Sequence, residues 1–192
     1  MTSPEFLDRR DAGQRLAHAV IARNLHNPVV LALPRGGVPV AFEVAKALGA
    51  PLDVLLVRKI GAPGHEEYGI GAVVDGAVHQ VVIDELAARA TGASQAYIDL
   101  QTARQLAEIE RRRALYCAGT PIALTGREVI IVDDGIATGG TVRAALKGLA
   151  KAKPARIVLA VPLAPAEILP ELGELCDDLV CLLSPAPFHA VG

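Results

Sequence analysis

Asp133 and Asp134 stand side by side at the end of the apolar run Val129-Ile130-Ile131-Val132, and Gly135-Ile136-Ala137-Thr138-Gly139-Gly140-Thr141 follows them. A loop of small residues that opens a helix offers free N–H groups and the positive end of the helix dipole, which suit a phosphate. Glycines let backbone wrap a ligand closely, and Thr138 and Thr141 add hydroxyl donors. Two carboxylates beside a phosphate would repel it. They make sense if they face hydroxyl donors, and adjacent sugar hydroxyls are such donors. The pattern therefore describes a phosphorylated sugar better than a bare phosphate.

Other chemistries fit less well. A Walker A loop needs G-x-x-x-x-G-K-[ST], whereas Gly135 is followed by Gly139-Gly140-Thr141, one residue short and without Lys. Gly69-Ile70-Gly71 lacks the third glycine of a dinucleotide fingerprint. Ser3, Ser94 and Ser184 lie outside any G-x-S-x-G. His65-Glu66-Glu67 has no second His four residues on, and no Cys/His cluster has zinc spacing. His18 and His26 read as surface residues. Two further segments break apolar runs: Pro34-Arg35-Gly36-Gly37, and Arg58-Lys59-Ile60-Gly61-Ala62-Pro63-Gly64-His65-Glu66-Glu67-Tyr68-Gly69. The second is polar and aperiodic and reads as a long mobile loop of the functional kind.

Positioning these segments falls to a chain of 192 residues, enough for one α/β domain over 1–192. Hydrophobic residues make up 52 % and aromatics 3 %, so the core is aliphatic, as in parallel strands covered by helices. A net charge of −2 provides no basic field for a nucleic-acid backbone, and few aromatics remain for stacking on bases. The first residues are charged and form no signal peptide. No apolar run approaches the length of a membrane span. The expectation is a cytoplasmic protein whose Cys117, Cys176 and Cys181 are reduced and buried.

Helices are expected over Asp8–Asn24, Val38–Leu48 with Gly49 as C-cap, Ser94–Tyr116 and Thr141–Lys151, and a short one opens at Pro165. Strands are expected over Val29–Leu33, Leu52–Val57, Val129–Val132, Ile157–Val161 and Leu179–Leu183. A hairpin joins Ile70–Val74 to Val78–Val82 around Asp75-Gly76-Ala77. Glu108 and Arg112 form an i, i+4 pair on the long helix. The alternation argues for a doubly wound parallel sheet.

The segment from Val129 to Thr141 closely resembles the binding motif for 5-phosphoribosyl-1-pyrophosphate (PRPP) of the type I phosphoribosyltransferase family. That resemblance implies a Rossmann-like core with a flexible hood loop. It implies that Asp133 and Asp134 hold the ribose hydroxyls. It also implies that Gly135, Ala137, Thr138, Gly139, Gly140 and Thr141 hold the 5′-phosphate. Leu33-Pro34-Arg35-Gly36-Gly37 resembles the family's pyrophosphate loop, so Arg35, Gly36 and Gly37 would meet pyrophosphate. Residues 59–69 resemble the hood, where Lys59 would neutralise pyrophosphate and Glu67 would serve metal or acceptor. Arg35, Lys59 and Glu67 are thus the catalytic candidates. Together with Phe6-Leu7-Asp8-Arg9-Arg10-Asp11-Ala12-Gly13, these motifs are similar to a group of stand-alone bacterial predicted phosphoribosyltransferases.

The implied function is transfer of the phosphoribosyl group of PRPP to a nitrogen acceptor, a nucleobase or related heterocycle, in nucleotide metabolism, with release of pyrophosphate. A non-catalytic PRPP- or nucleotide-binding regulator on the same fold is the alternative. Mg²⁺ is the implied metal, held by phosphate oxygens and water, with Asp133 and Asp134 acting on it only through PRPP or water. The implied partners are PRPP and an unidentified acceptor, without nucleic acid or membrane, and a homodimer is compatible. Two departures stand out. Ala137 occupies the place where hypoxanthine-guanine enzymes carry an Asp base and adenine enzymes carry Ala. The chain also stops at Phe188-His189-Ala190-Val191-Gly192, where relatives continue, so part of the acceptor side is expected to be missing.

Overall fold

The structure, a computed structural model, describes residues 6–116 and 119–185. The chain forms two compact units. The first comprises Met1–Val54, Leu124–Gly139 and Lys153–Gly192, and the second Leu55–Ala123 and Gly140–Ala152.

The first unit is built on a five-stranded parallel sheet. Its strands are β1 (Pro28–Ala32), β2 (Leu52–Val54), β6 (Glu128–Val132), β7 (Arg156–Leu163) and β8 (Asp178–Leu183), in the order β2-β1-β6-β7-β8. Helices α1 (Arg9–Ile21) and α2 (Gly37–Leu48) pack on one face. There Leu16, Val20, Val40 and Val44 meet the even-numbered side chains Val30, Ala32, Ile130, Val132, Val158 and Ala160. The odd-numbered Val29, Leu31, Val129, Ile131 and Leu159 are buried as well. Burial on both faces is why these strands read as continuous apolar runs. Asp8 caps α1, its carboxylate accepting the Asp11 N–H at 2.8 Å. Gly49 ends α2 in the left-handed region at φ 61°. Pro165 precedes a 3₁₀ turn at Ala166–Ile168, which leads into α6 (Leu169–Gly173).

The second unit holds an antiparallel sheet of β3 (Val57–Ala62), β4 (His65–Val74) and β5 (Gln80–Ile83). Helices α3 (Glu85–Ala90), α4 (Gln95–Tyr116) and α5 (Gly140–Lys151) complete it. The apolar face of α5, with Val142, Ala145, Leu146 and Leu149 buried, packs on β3, β4 and β5. A Cβ on Gly148 would lie 2.6 Å from Val74 Cγ2, so only glycine admits that approach. The buried Asp75 carboxylate accepts from Arg113 and ties the end of α4 to the β4–β5 turn. Glu108 pairs with Arg112 at 2.6 Å, as expected, and also with Arg111 at 2.8 Å.

Several expectations are corrected. The run Leu52–Val57 is not one strand: β2 stops at Val54, and Val57 begins β3 in the other sheet. The segment expected to be an aperiodic loop is the β3–β4 hairpin, turning at Pro63-Gly64 with Gly64 at φ 73°. Alternation is present in its apolar members, Ile60 and Ala62 on β3 and Ile70 and Ala72 on β4, all buried. The exposed residues His65–Gly69 between them hide the period. Helix α3 was not foreseen, although Asp84 caps it by accepting the Ala87 N–H at 2.9 Å. Cys176 and Cys181 are half-buried rather than buried, and Cys117 and Phe188–Gly192 lie outside the described residues. No described helix is long and apolar enough to cross a membrane.

Candidate functional site

From β1 the chain moves to β2 on one side, and from β6 it moves to β7 and β8 on the other. The order therefore reverses between β1 and β6. In open parallel sheets the crevice at such a switch point, outside the carboxyl ends of the strands, is where ligands bind. The two strands run in register, Ala32 beside Val132, and the Leu33 N–H extends the ladder to the Val132 carbonyl at 2.9 Å. The segments leaving these strand ends are Pro34-Arg35-Gly36-Gly37 and Asp133-Asp134-Gly135, two of the motifs singled out above.

Contact between them accounts for both glycines. A Cβ on Gly36 would fall 2.0 Å from Asp134 Oδ2. One on Gly37 would fall 2.7 Å from the Val132 carbonyl and 3.0 Å from Asp133 Cα. Any side chain at either position would displace the acid pair. The Pro34–Arg35 peptide is cis, and Arg35 is exposed at the rim.

Asp133 Oδ1 accepts the Asp134 N–H at 2.9 Å. Burial pushes the Asp133 carboxyl up to about 7, Asp134 adds repulsion in the same direction, and the backbone hydrogen bond opposes both. Asp134 meets a cation that sequence reasoning did not select. Nε and Nη2 of Arg9 both reach its Oδ2, each at 2.8 Å. The available signal was slight: Arg9 and Arg10 put two cations in the first turn of α1, the end where the helix dipole disfavours them.

Beyond the acids, Ile136 is buried and donates its N–H to the Leu163 carbonyl at 2.8 Å, pinning the middle of the loop to the end of β7. Ala137 and Thr138 are exposed, and Gly139 takes φ 76°. Helix α5 begins at the next residue, with Thr141 exposed in its first turn.

In the second unit, Lys59 on β3 stands by the start of α5: a Cβ on Gly140 would lie 3.4 Å from Lys59 Nζ. Both residues line a cleft of about 610 Å³ together with Gly71, Asp84, Arg143 and Lys147. Glu67 is not brought into that cleft. It is exposed on the outer part of β4 and lines a separate hollow with His65, Glu66, Tyr68 and Thr91. Among the described residues, no group of three His, Cys, Asp or Glu could hold a metal by itself. Asp133 and Asp134 would act on a Mg²⁺ ion only through water and substrate oxygens.

The family model for the phosphoribosyl transferase domain matches residues 5–171. The chain belongs to that family. Two Mycobacterium tuberculosis proteins provisionally named phosphoribosyl transferases are 47 % identical to it over 189 residues, 97 % of the chain. The chain spans 42 % of their length. The crystal structure of TT1426 from Thermus thermophilus superposes with a TM-score of 0.83 at 43 % identity, covering 98 % of this chain and 88 % of that one. A bifunctional PyrR protein of Lactococcus lactis is 54 % identical over only 41 residues, 21 % of this chain and 24 % of its own length. The phosphoribosyl transferase assignment thus rests on nearly the whole chain and accords with motifs meeting at the sheet's switch point.

Proposed function

We propose that this phosphoribosyl transferase domain moves the 5-phosphoribosyl group of PRPP to a nitrogen acceptor, a nucleobase or related heterocycle, and releases pyrophosphate. The observation that carries the reading is the packing of Gly36 and Gly37 against Asp133 and Asp134 at the switch point. The glycine pair lets the turn before α2 pack directly on the acid pair, so the two motifs stand side by side, which suits a ligand with both diphosphate oxygens and hydroxyls.

In this reading Asp133 and Asp134 accept the ribose 2′- and 3′-hydroxyls, and their charge lies near the ring on which positive charge develops. Arg35 and the backbone of Gly36 and Gly37 take the pyrophosphate. The residues from Gly135 to Thr141 take the 5′-phosphate at the start of α5. Lys59, beside Gly140, adds a positive charge there. Bound with PRPP, Mg²⁺ supplies stabilisation of the leaving pyrophosphate. The chain contributes positioning, hydrogen bonds to the ribose and exclusion of water. The bond from C1′ to the pyrophosphate oxygen breaks as the acceptor nitrogen bonds C1′. Ala137 offers no side-chain base, so the acceptor's proton leaves by another route.

Pyrophosphate release from PRPP and Mg²⁺, measured across a panel of nucleobases and related heterocycles with the nucleotide product identified by mass, tests this. A stoichiometric nucleotide product supports transfer. PRPP binding without release for any acceptor would instead make the domain a PRPP-binding regulator.

A further inference from the structure

We propose that Arg9 is a positioning residue for phosphoribosyl binding: it fixes the Asp134 carboxylate against Gly36 and offsets the negative charge that this carboxylate presents to an incoming polyanion. The inference rests on reading Asp133 and Asp134 as the ribose site, and adds a residue from a different part of the chain to it.

The geometry is specific. Two N–H groups of Arg9, from Nε and Nη2, converge on Oδ2 of Asp134. Oδ1 is not engaged by Arg9 and can accept a hydroxyl. The carboxylate also lies against Gly36, where a Cβ would fall 2.0 Å from Oδ2. Asp134 thus meets both a cation and a backbone, with its side chain 16 % exposed while that of Arg9 is 49 % exposed. Arg9 is itself held in place, because α1 is capped by Asp8 and anchored in the core by Leu16, Ala17 and Val20. A guanidinium in the first helical turn opposes the helix dipole, so a cation at this position is disfavoured locally and its partner lies 125 residues away.

Electrostatics gives the reason for the pairing. Asp134 is adjacent to Asp133 in the chain and accepts two N–H groups from Arg9. Without Arg9, it would lose that pairing while still facing Asp133 and the phosphates of PRPP. Arg10, the next residue, has a different role: it pairs with Glu43 of α2 at 3.2 Å. It is therefore a control for effects of α1 docking alone.

The test is calorimetric titration of PRPP with Mg²⁺, and separately of inorganic phosphate, into the full chain as wild type, Arg9→Gln, Arg9→Lys and Arg10→Gln. Arg9→Gln should weaken PRPP binding tenfold or more and change phosphate binding less than twofold. Arg9→Lys, which keeps the charge but not the two-donor geometry, should fall between. Arg10→Gln should match wild type within twofold. In turnover, Arg9→Gln should raise KM for PRPP with kcat within twofold. Equal or tighter PRPP binding by Arg9→Gln would overturn the proposal, and tighter binding would make Arg9 a competitor of the ribose. An equal loss in Arg9→Gln and Arg10→Gln would also overturn it, leaving helix docking as the cause. If Arg9→Gln does not fold, Arg9→Lys carries the decision: a PRPP affinity two- to tenfold below wild type with phosphate binding unchanged supports the proposal, and an affinity equal to wild type overturns it. Failure of the wild type to bind PRPP would overturn the ribose-site reading itself, a result distinct from an unaffected Arg9→Gln.

Discussion

Asp133 and Asp134 are neighbours in sequence but not in environment, and substitutions should separate them. Asp133 is raised from the ordinary 3.8 to about 7, chiefly by burial. Its protonated form favours the fold: that contribution is full below pH 3.8 and is lost as pH rises to about 7. Asp133→Asn should flatten the decline of stability across this window and raise Tm at pH 8, each kcal/mol relieved appearing as roughly 2–4 °C in a chain of this size. A variant Tm that tracks wild type at pH 4 and pH 8 alike would contradict this. Asp134→Asn keeps the shape but replaces one acceptor by a donor. It should weaken PRPP binding by roughly 1.5–3 kcal/mol, the worth of a hydrogen bond to a charged group, while inorganic phosphate binds as well or slightly better. Equal loss of both ligands, read by calorimetry, would make the acids mere supports of the loop. The acid pair and its glycine-rich sequel were legible because strand, acids and helix start are contiguous. The reason for Gly36 and Gly37 was not, because the groups that exclude their side chains, the Asp134 carboxylate and the Val132–Asp133 backbone, lie far along the chain at the end of β6. Arg9 was invisible for the same cause, its meaning lying entirely in a distant partner.

Elements were legible where burial is two-sided or a cap is local. Strands β1 and β6 announce themselves as apolar runs, and Ser94 marks the start of α4 by accepting the Tyr97 N–H at 3.2 Å. The β3–β4 hairpin was misread because its outer part buries nothing: His65 to Gly69 are all exposed, so no alternation survives there. What holds the tip is backbone chemistry. Tyr97 Oη donates to the Gly61 carbonyl at 3.0 Å, and Gly61 lies so close to the Glu66 backbone that a Cβ would sit 2.3 Å from its carbonyl oxygen. With so little apolar burial, the tip should open far more readily than the sheet of the first unit. Hydrogen exchange should show amides 61–68 exchanging well before amides 129–132, and Tyr97→Phe should speed the tip further. Protection at the tip equal to that of β6 would contradict this.

At the scale of the whole molecule, neither compact unit is a single stretch of chain. The second unit takes α5 from beyond the acid pair, and that helix covers its sheet with Val142, Ala145, Leu146 and Leu149. A fragment of residues 55–123 should therefore lack a cooperative urea transition by circular dichroism, since the strands lose the apolar face they pack against. A sharp transition in that fragment would show that the sheet, α3 and α4 suffice. Sequence alone could not reveal this division, because hydrophobic pattern reports which residues are buried and not which partners bury them. The interleaving also limits how this protein can be recombined with its relatives. A chimaera that takes the hairpin sheet from another member must carry residues 140–152 along with 55–123, and Gly148 must travel with the Val74 it accommodates. Two crossover points would leave a native helix against a foreign sheet, so four are needed.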